Sequence, residues 1–156
     1  MRRLRLALTL SAATLATTLA AASLVMAGET PAPDNAKAYF INLKDGDKVA
    51  SPVLIRFGLS GMGVAPSGTE APNTGHHHLL IDAPALEGDA LNEAIPVDAG
   101  HVHFGKGQTE ASVNLTPGQH TLQLVLGDWS HIPHNKPVMS ERITITVEPS
   151  TQAKSP

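Results

Sequence analysis

Beyond residue 37 the chain alternates apolar and polar positions with a period of two, interrupted by frequent turn signals, a pattern that predicts an all-β domain. Ala38–Leu43 reads as a first strand closed by Asp45-Gly46. Val53, Ile55, Phe57 and Leu59 alternate with Arg56, Gly58 and Ser60 in a half-buried second strand. His76–Asp82 gives a third, and Val102 and Phe104 mark a short fourth. Ala111, Val113 and Leu115 alternate with Ser112 and Asn114, after which Pro117-Gly118 turns the chain. Leu122, Leu124 and Leu126 share one face of a sixth strand, and Ile143, Ile145 and Val147 one face of a seventh. About seven short antiparallel strands suit an immunoglobulin-like β-sandwich.

Three connections are long: 61–75, 83–100 and 127–139. Loops of that size in a small domain are often functional. The middle one has room for a helical turn at Asp89–Ala94. If the strands simply alternate in direction, loops 61–75 and 127–139 lie at one end of the domain. His76, His77, His78, His131 and His134 then gather at that end, with His103 close by, His101 one step below and His120 at the opposite end.

The termini bound the domain. Arg2, Arg3 and Arg5 precede an uncharged, largely apolar stretch, and Val25-Met26-Ala27 is a small-x-small cleavage signal. Residues 1–27 therefore read as a secretory signal peptide, with Ala20-Ala21-Ala22 as an alternative cut. Residues 28–37 read as a Pro-rich flexible leader, 38–148 as the β domain and 149–156 as a disordered tail. The expected location is the periplasm or the medium, with no stable membrane insertion after cleavage.

Without the three signal arginines, eight basic residues face fourteen acidic ones, a net charge of −6 with neutral histidine. That balance argues against nucleic acid and anionic membranes as partners. The absence of cysteine excludes disulfides, thiol catalysis and thiolate metal sites.

The histidines carry the candidate chemistry. Seven of the eight fall in three groups: His76, His77 and His78; His101 and His103; His131 and His134. On a pleated strand His76 and His78 share a face, while His77 points the other way with Leu79 and Ile81. His101 and His103 likewise share a face. A His-x-His on a strand aims two imidazoles in one direction, and two such pairs supply three or four nitrogens to one ion. The candidate ligands are His76, His78, His101 and His103, with His131 or His134 closing from the loop. Asp82 and Asp128 are candidates to orient an imidazole through its other nitrogen. A nitrogen-only site suits zinc, copper(II), nickel or iron(II), and Met62 and Met139 near the same end would favour copper(I).

Plainer readings compete. His120 aligns with Leu122 and Leu124 and reads as a packed residue, and His77 reads similarly. His131 and His134 sit in a Pro-containing loop that they can simply brace. Trp129 reads as a lid over the core edge. No nucleophile elbow, phosphate loop or zinc-protease motif appears, and the available carboxylates form no evident acid–base pair.

The blocks Phe57-Gly58-Leu59-Ser60-Gly61-Met62, Gly75-His76-His77-His78-Leu79-Leu80-Ile81-Asp82, His101-Val102-His103-Phe104-Gly105, Pro117-Gly118-Gln119-His120, and Gly127-Asp128 with His131-Ile132-Pro133-His134 resemble the bacterial exported family called domain of unknown function 4399. The resemblance covers roughly residues 38–148 and implies an exported domain, with the histidine blocks as its signature. It implies no catalytic role.

These readings converge on an exported domain that binds a transition metal, copper or zinc, for buffering, delivery or sensing. The first alternative is a cell-envelope interaction module in which the histidines brace loops that recognise a protein or a glycan. The second is a metal-dependent hydrolase or oxidase, which needs an open coordination position and a carboxylate base.

Overall fold

The computed structural model describes residues 28–149; the expected signal peptide, and residues 150–156 of the expected tail, lie outside them. The described residues form nine strands and one short 3-10 helix: β1 (Lys37–Phe40), β2 (Lys48–Val49), β3 (Val53–Ser60), β4 (Gly63–Val64), β5 (Thr74–Ile81), the helix Gly88–Asn92, β6 (His101–His103), β7 (Glu110–Val113), β8 (Gly118–Gly127) and β9 (Ile143–Val147). Among them no helix is long and apolar enough to cross a membrane.

The strands pair in two open sheets. One has the order β1-β3-β7, and the other β2-β9-β8-β5-β4, with β6 also paired to β5. Two details depart from seven antiparallel strands. β2 and β4 are additional two-residue strands, and they pair in parallel with β9 and β5. Segments this short have no periodicity to read and are fixed only by the neighbour they meet.

The period-two pattern explains the core. In β3, Val53, Ile55 and Phe57 are buried while Leu54 and Arg56 are exposed. They pack with Ala38 of β1 and with Leu79, Leu122, Leu124, Leu126, Ile143, Ile145 and Val147 of the larger sheet, so both sheets feed one core. Each of the Val, Leu, Ile and Phe side chains contributes about 1.5–3 kcal/mol through burial. A second, smaller cluster covers the other face of the larger sheet, where Leu80 and Val125 meet Ala83, Leu86 and Ile95 from the 82–100 connection. β5 is therefore covered on both faces, and every residue from Gly75 to Leu80 is buried.

Within the segment 28–37 expected as a leader, residues 30–34 run along the 128–136 loop. Asn135 N donates to Thr30 O at 3.0 Å, Ala32 N donates to Asn135 Oδ1 at 3.3 Å, and Lys136 pairs with Asp34.

Candidate metal centre

The site is built from β5, β6 and the loop after β8. His77 sits on the main-core face of β5, where its ring lies 5.2 Å from that of Phe57. His76 and His78 consequently project to the opposite face, the side of Leu80. The antiparallel register sets His103 of β6 directly opposite His78, and Gly127 of β8 opposite His76. His76 Nε2 and His78 Nε2 lie 3.1 Å apart. Ring centroids are 4.9 Å apart for His76–His78 and His78–His103, and 5.0 Å for His76–His103. One nitrogen from each of the three can be chosen so that all lie within 4.8 Å of one another. Nitrogens bound about 2.0–2.1 Å from a tetrahedral ion lie roughly 3.3 Å apart, a separation that the 3.1 Å His76–His78 pair already has.

His131 flanks the tripod from the loop. Its ring lies 5.0 Å from His76 and 4.8 Å from His103, both edge-on, but 6.1 Å from His78. Its backbone is left-handed, φ 72°. Asp128 organises this turn rather than touching an imidazole. Its Oδ1 accepts from Ser130 N, Ser130 Oγ and Ile132 N at 2.8–3.0 Å, and its Oδ2 accepts from Thr30 Oγ1 at 2.6 Å. Burial alone would raise the Asp128 pKa, but these donors hold it below the ordinary carboxylate value.

Burial keeps the cluster neutral. Loss of hydration, reinforced by the neighbouring imidazoles, lowers His76 to about 4 and His78 to about 2. His103 is lowered for the same reasons. Buried Nδ1 of His76, Nδ1 of His78 and Nε2 of His103 have no hydrogen-bond partner among the described residues. Neutral imidazoles with free nitrogens are the form that ligates a metal.

The remaining histidines are used elsewhere. His101 shares the face of His103, but its Nδ1 bonds Asp98 Oδ1 at 2.9 Å across the Asp98–His101 bridge. That bond, with one from Gly100 N, holds the Asp98 carboxyl low. His134 is buried, and its Nε2 donates to Thr74 O at 3.2 Å. His120 Nδ1 meets Asp82 Oδ2 at 2.6 Å, and its Nε2 donates to Thr116 O at 2.8 Å. The structure thus brings together His76, His78, His103 and His131, and not His101, His134 or Asp82. Met62 packs against the main core and Met139 against the smaller one. Trp129 is largely exposed and lines a groove of about 510 Å³ with Thr30, Pro31, Glu70, Ala71 and Pro72, which contains no histidine.

Two site residues escape the sequence reading because they are defined by a missing side chain. A Cβ on Gly127 would lie 2.9 Å from His78 Nε2, and one on Gly105 would lie 2.3 Å from His103 Cε1. Both glycines make room for an imidazole. In the sequence Gly127 stands out only as the residue before Asp128, and Gly105 only as the end of the His101–Gly105 block.

No curated protein and no solved structure matches the chain. Residues 55–148, more than half of the chain and the part that holds all eight histidines, match the family model described as Domain of unknown function (DUF4399), and the chain belongs to that family.

Proposed function

We propose that this protein is a periplasmic domain that binds one transition metal ion, copper or zinc, for buffering, delivery or sensing. We read its two sheets as the layers of an immunoglobulin-like β-sandwich. The ligands are His76, His78 and His103, with His131 adjoining. One observation carries the reading: the buried imidazoles of His76 and His78 and the half-buried one of His103 turn nitrogens toward one another, and His76 and His78 meet each other rather than a carboxylate or carbonyl. A structural role predicts the reverse, imidazoles individually paired to backbone or carboxylate. His101, His120 and His134 meet that description; the central three do not.

The bracing histidines support the envelope-module alternative for the periphery of the domain, where the loops they hold are available to a protein or glycan. Hydrolase chemistry has less support. Asp128, the carboxylate that acts electrostatically on His76, is engaged at both oxygens in holding the turn and the Thr30 hydroxyl, and its lowered pKa makes it a weak base.

The test is metal content and titration of the untagged protein. Stoichiometric copper or zinc, lost in a His76→Ala/His78→Ala/His103→Ala variant that still folds by circular dichroism, is the expected result. The milder His103→Ala variant covers the case in which the triple variant does not fold. Binding no tighter than that of scattered surface histidines sinks the metal reading and leaves the envelope module.

A further inference from the structure

The four clustered imidazoles are not equivalent in how they are held. His76, His78 and His103 stand on two strands locked in register, so their mutual placement is set by the sheet. His131 stands off the sheet, on a turn, with its ring farther from His78 than the others are and outside the set of nitrogens that converge within 4.8 Å. Three strand ligands would leave a tetrahedral ion one position to fill, and His131 is the remaining imidazole beside the tripod, with its ring 5.0 Å from His76 and 4.8 Å from His103.

The turn is fastened from several sides: Ile95 N donates to His131 O at 2.9 Å, Gly68 N donates to Trp129 O at 2.8 Å, and two further sets of contacts meet at Asp128. From within, Asp128 Oδ1 collects three donors, and His131 N donates to Asp128 O at 3.0 Å. From outside, the 30–34 segment lies across the 128–136 loop, and its one side-chain link to Asp128 is the 2.6 Å bond from Thr30 Oγ1. Carbonyl and amide contacts at Asn135 and the Lys136–Asp34 pair continue the strap. Asp128 therefore couples the N-terminal segment to the backbone that carries His131.

Resting on the metal reading above, we propose that His131 is the exchangeable fourth ligand, and that the Thr30–Asp128 bond is a positioning contact that controls metal release. Metal leaves when the turn lifts His131 away and solvent reaches the tripod. Loosening the strap makes that opening more frequent without removing any ligand.

The experiment follows transfer of zinc from the loaded full-length protein to a chromogenic chelator. His131→Ala is expected to raise the release rate on the order of tenfold. Free imidazole should slow release from that variant, by filling the vacated position, and leave the wild type unaffected. Thr30→Val, which keeps the side-chain shape and removes the donor, is expected to raise the rate a few-fold, and Thr30→Ser to restore it. In the cobalt(II)-loaded protein, His131→Ala should shift the visible bands, whereas Thr30→Val should not. If wild-type protein takes up zinc but both variants release it at the wild-type rate, this proposal is wrong while the metal site stands. If wild-type protein takes up no zinc, the metal reading itself fails.

Discussion

His78 and His103 are register partners on adjacent antiparallel strands, and their rings lie 4.9 Å apart with an interplanar angle of 31°. Backbone hydrogen bonding, rather than side-chain packing, thus places the ligands of the proposed site. A site made by the sheet exists before metal arrives, so binding should stabilise the native state without reorganising it. At metal concentrations near one hundred times Kd the gain is about 2.7 kcal/mol. For a domain of this size that corresponds to roughly 8–15 °C in Tm. Differential scanning calorimetry with and without zinc measures it, and circular dichroism should show unchanged strand content.

Acid should weaken the metal-free protein through the same histidines. His76, His77 and His78 have folded-state pKa values lowered to about 4, about 4 and about 2, in each case chiefly by burial. Below the ordinary value of 6.5 the unfolded chain takes up protons that the folded chain refuses, so stability falls as pH drops from 6.5 towards 4. Each group contributes on the order of 1 kcal/mol per pH unit in that window. His120 works in the opposite sense. Burial alone would lower its pKa, but Asp82 and the Thr116 carbonyl raise it, so its contribution persists in acid and is lost as pH rises through the folded value. The three buried histidines outnumber it, and Tm measured from pH 7 to pH 4.5 should decline steeply. A flat profile would show that the cluster is protonated, or exposed, in the folded state.

What the sequence made legible follows from periodicity. Alternation at 53–59 placed β3, and the same period assigned His76 and His78 to one face and His77 to the other. Simple alternation of strand direction also carried loop 127–139 to the end where β5 begins, which is how His131 reaches His76. What is not legible depends on the way a loop folds back on itself, on contacts distant in the chain, or on space. Asp98, three residues before His101, was available as a competing partner, but only the Asp98–His101 bridge brings the two together. His134 was lost to a carbonyl 60 positions away, and Asp82 to His120, 38 positions on. The strap from Thr30 to Asp128 spans 98 positions and lies outside any local pattern.

Gly127 offers a way to close the site without touching a ligand. Its backbone is ordinary extended strand, so alanine there adds no backbone strain, and its new methyl group would press on His78 Nε2 from 2.9 Å. The ring must turn away or the methyl must occupy the place of the ion. Gly127→Ala should therefore reduce metal affinity on the order of 10–100-fold, the range found when the support of a ligand is disturbed. Unfolding in urea should show only a modest loss of stability. Isothermal titration beside the urea curve separates the two effects. Unchanged affinity would mean that His78 binds through a geometry in which Nε2 takes no part.

His77 gives the complementary case, a buried imidazole whose removal should help the fold. Both of its ring nitrogens are buried and unpartnered among the described residues, and its neighbour on the core side is the ring of Phe57. A neutral imidazole always carries one N–H, and leaving it unmet inside the core costs about 1–3 kcal/mol. Leucine is close in volume, has no polar atom and suits the apolar surroundings that Leu79 already occupies on the same face. His77→Leu should therefore raise Tm at pH 7 by roughly 3–10 °C. It should also reduce the acid sensitivity described above by one group's share, because one fewer proton is refused on folding. Metal affinity should stay within about twofold of the wild type, since the side chain points away from His76 and His78 and serves neither. A fall in Tm would show instead that ordered water inside the core satisfies both nitrogens, making His77 a hydrogen-bonded structural residue.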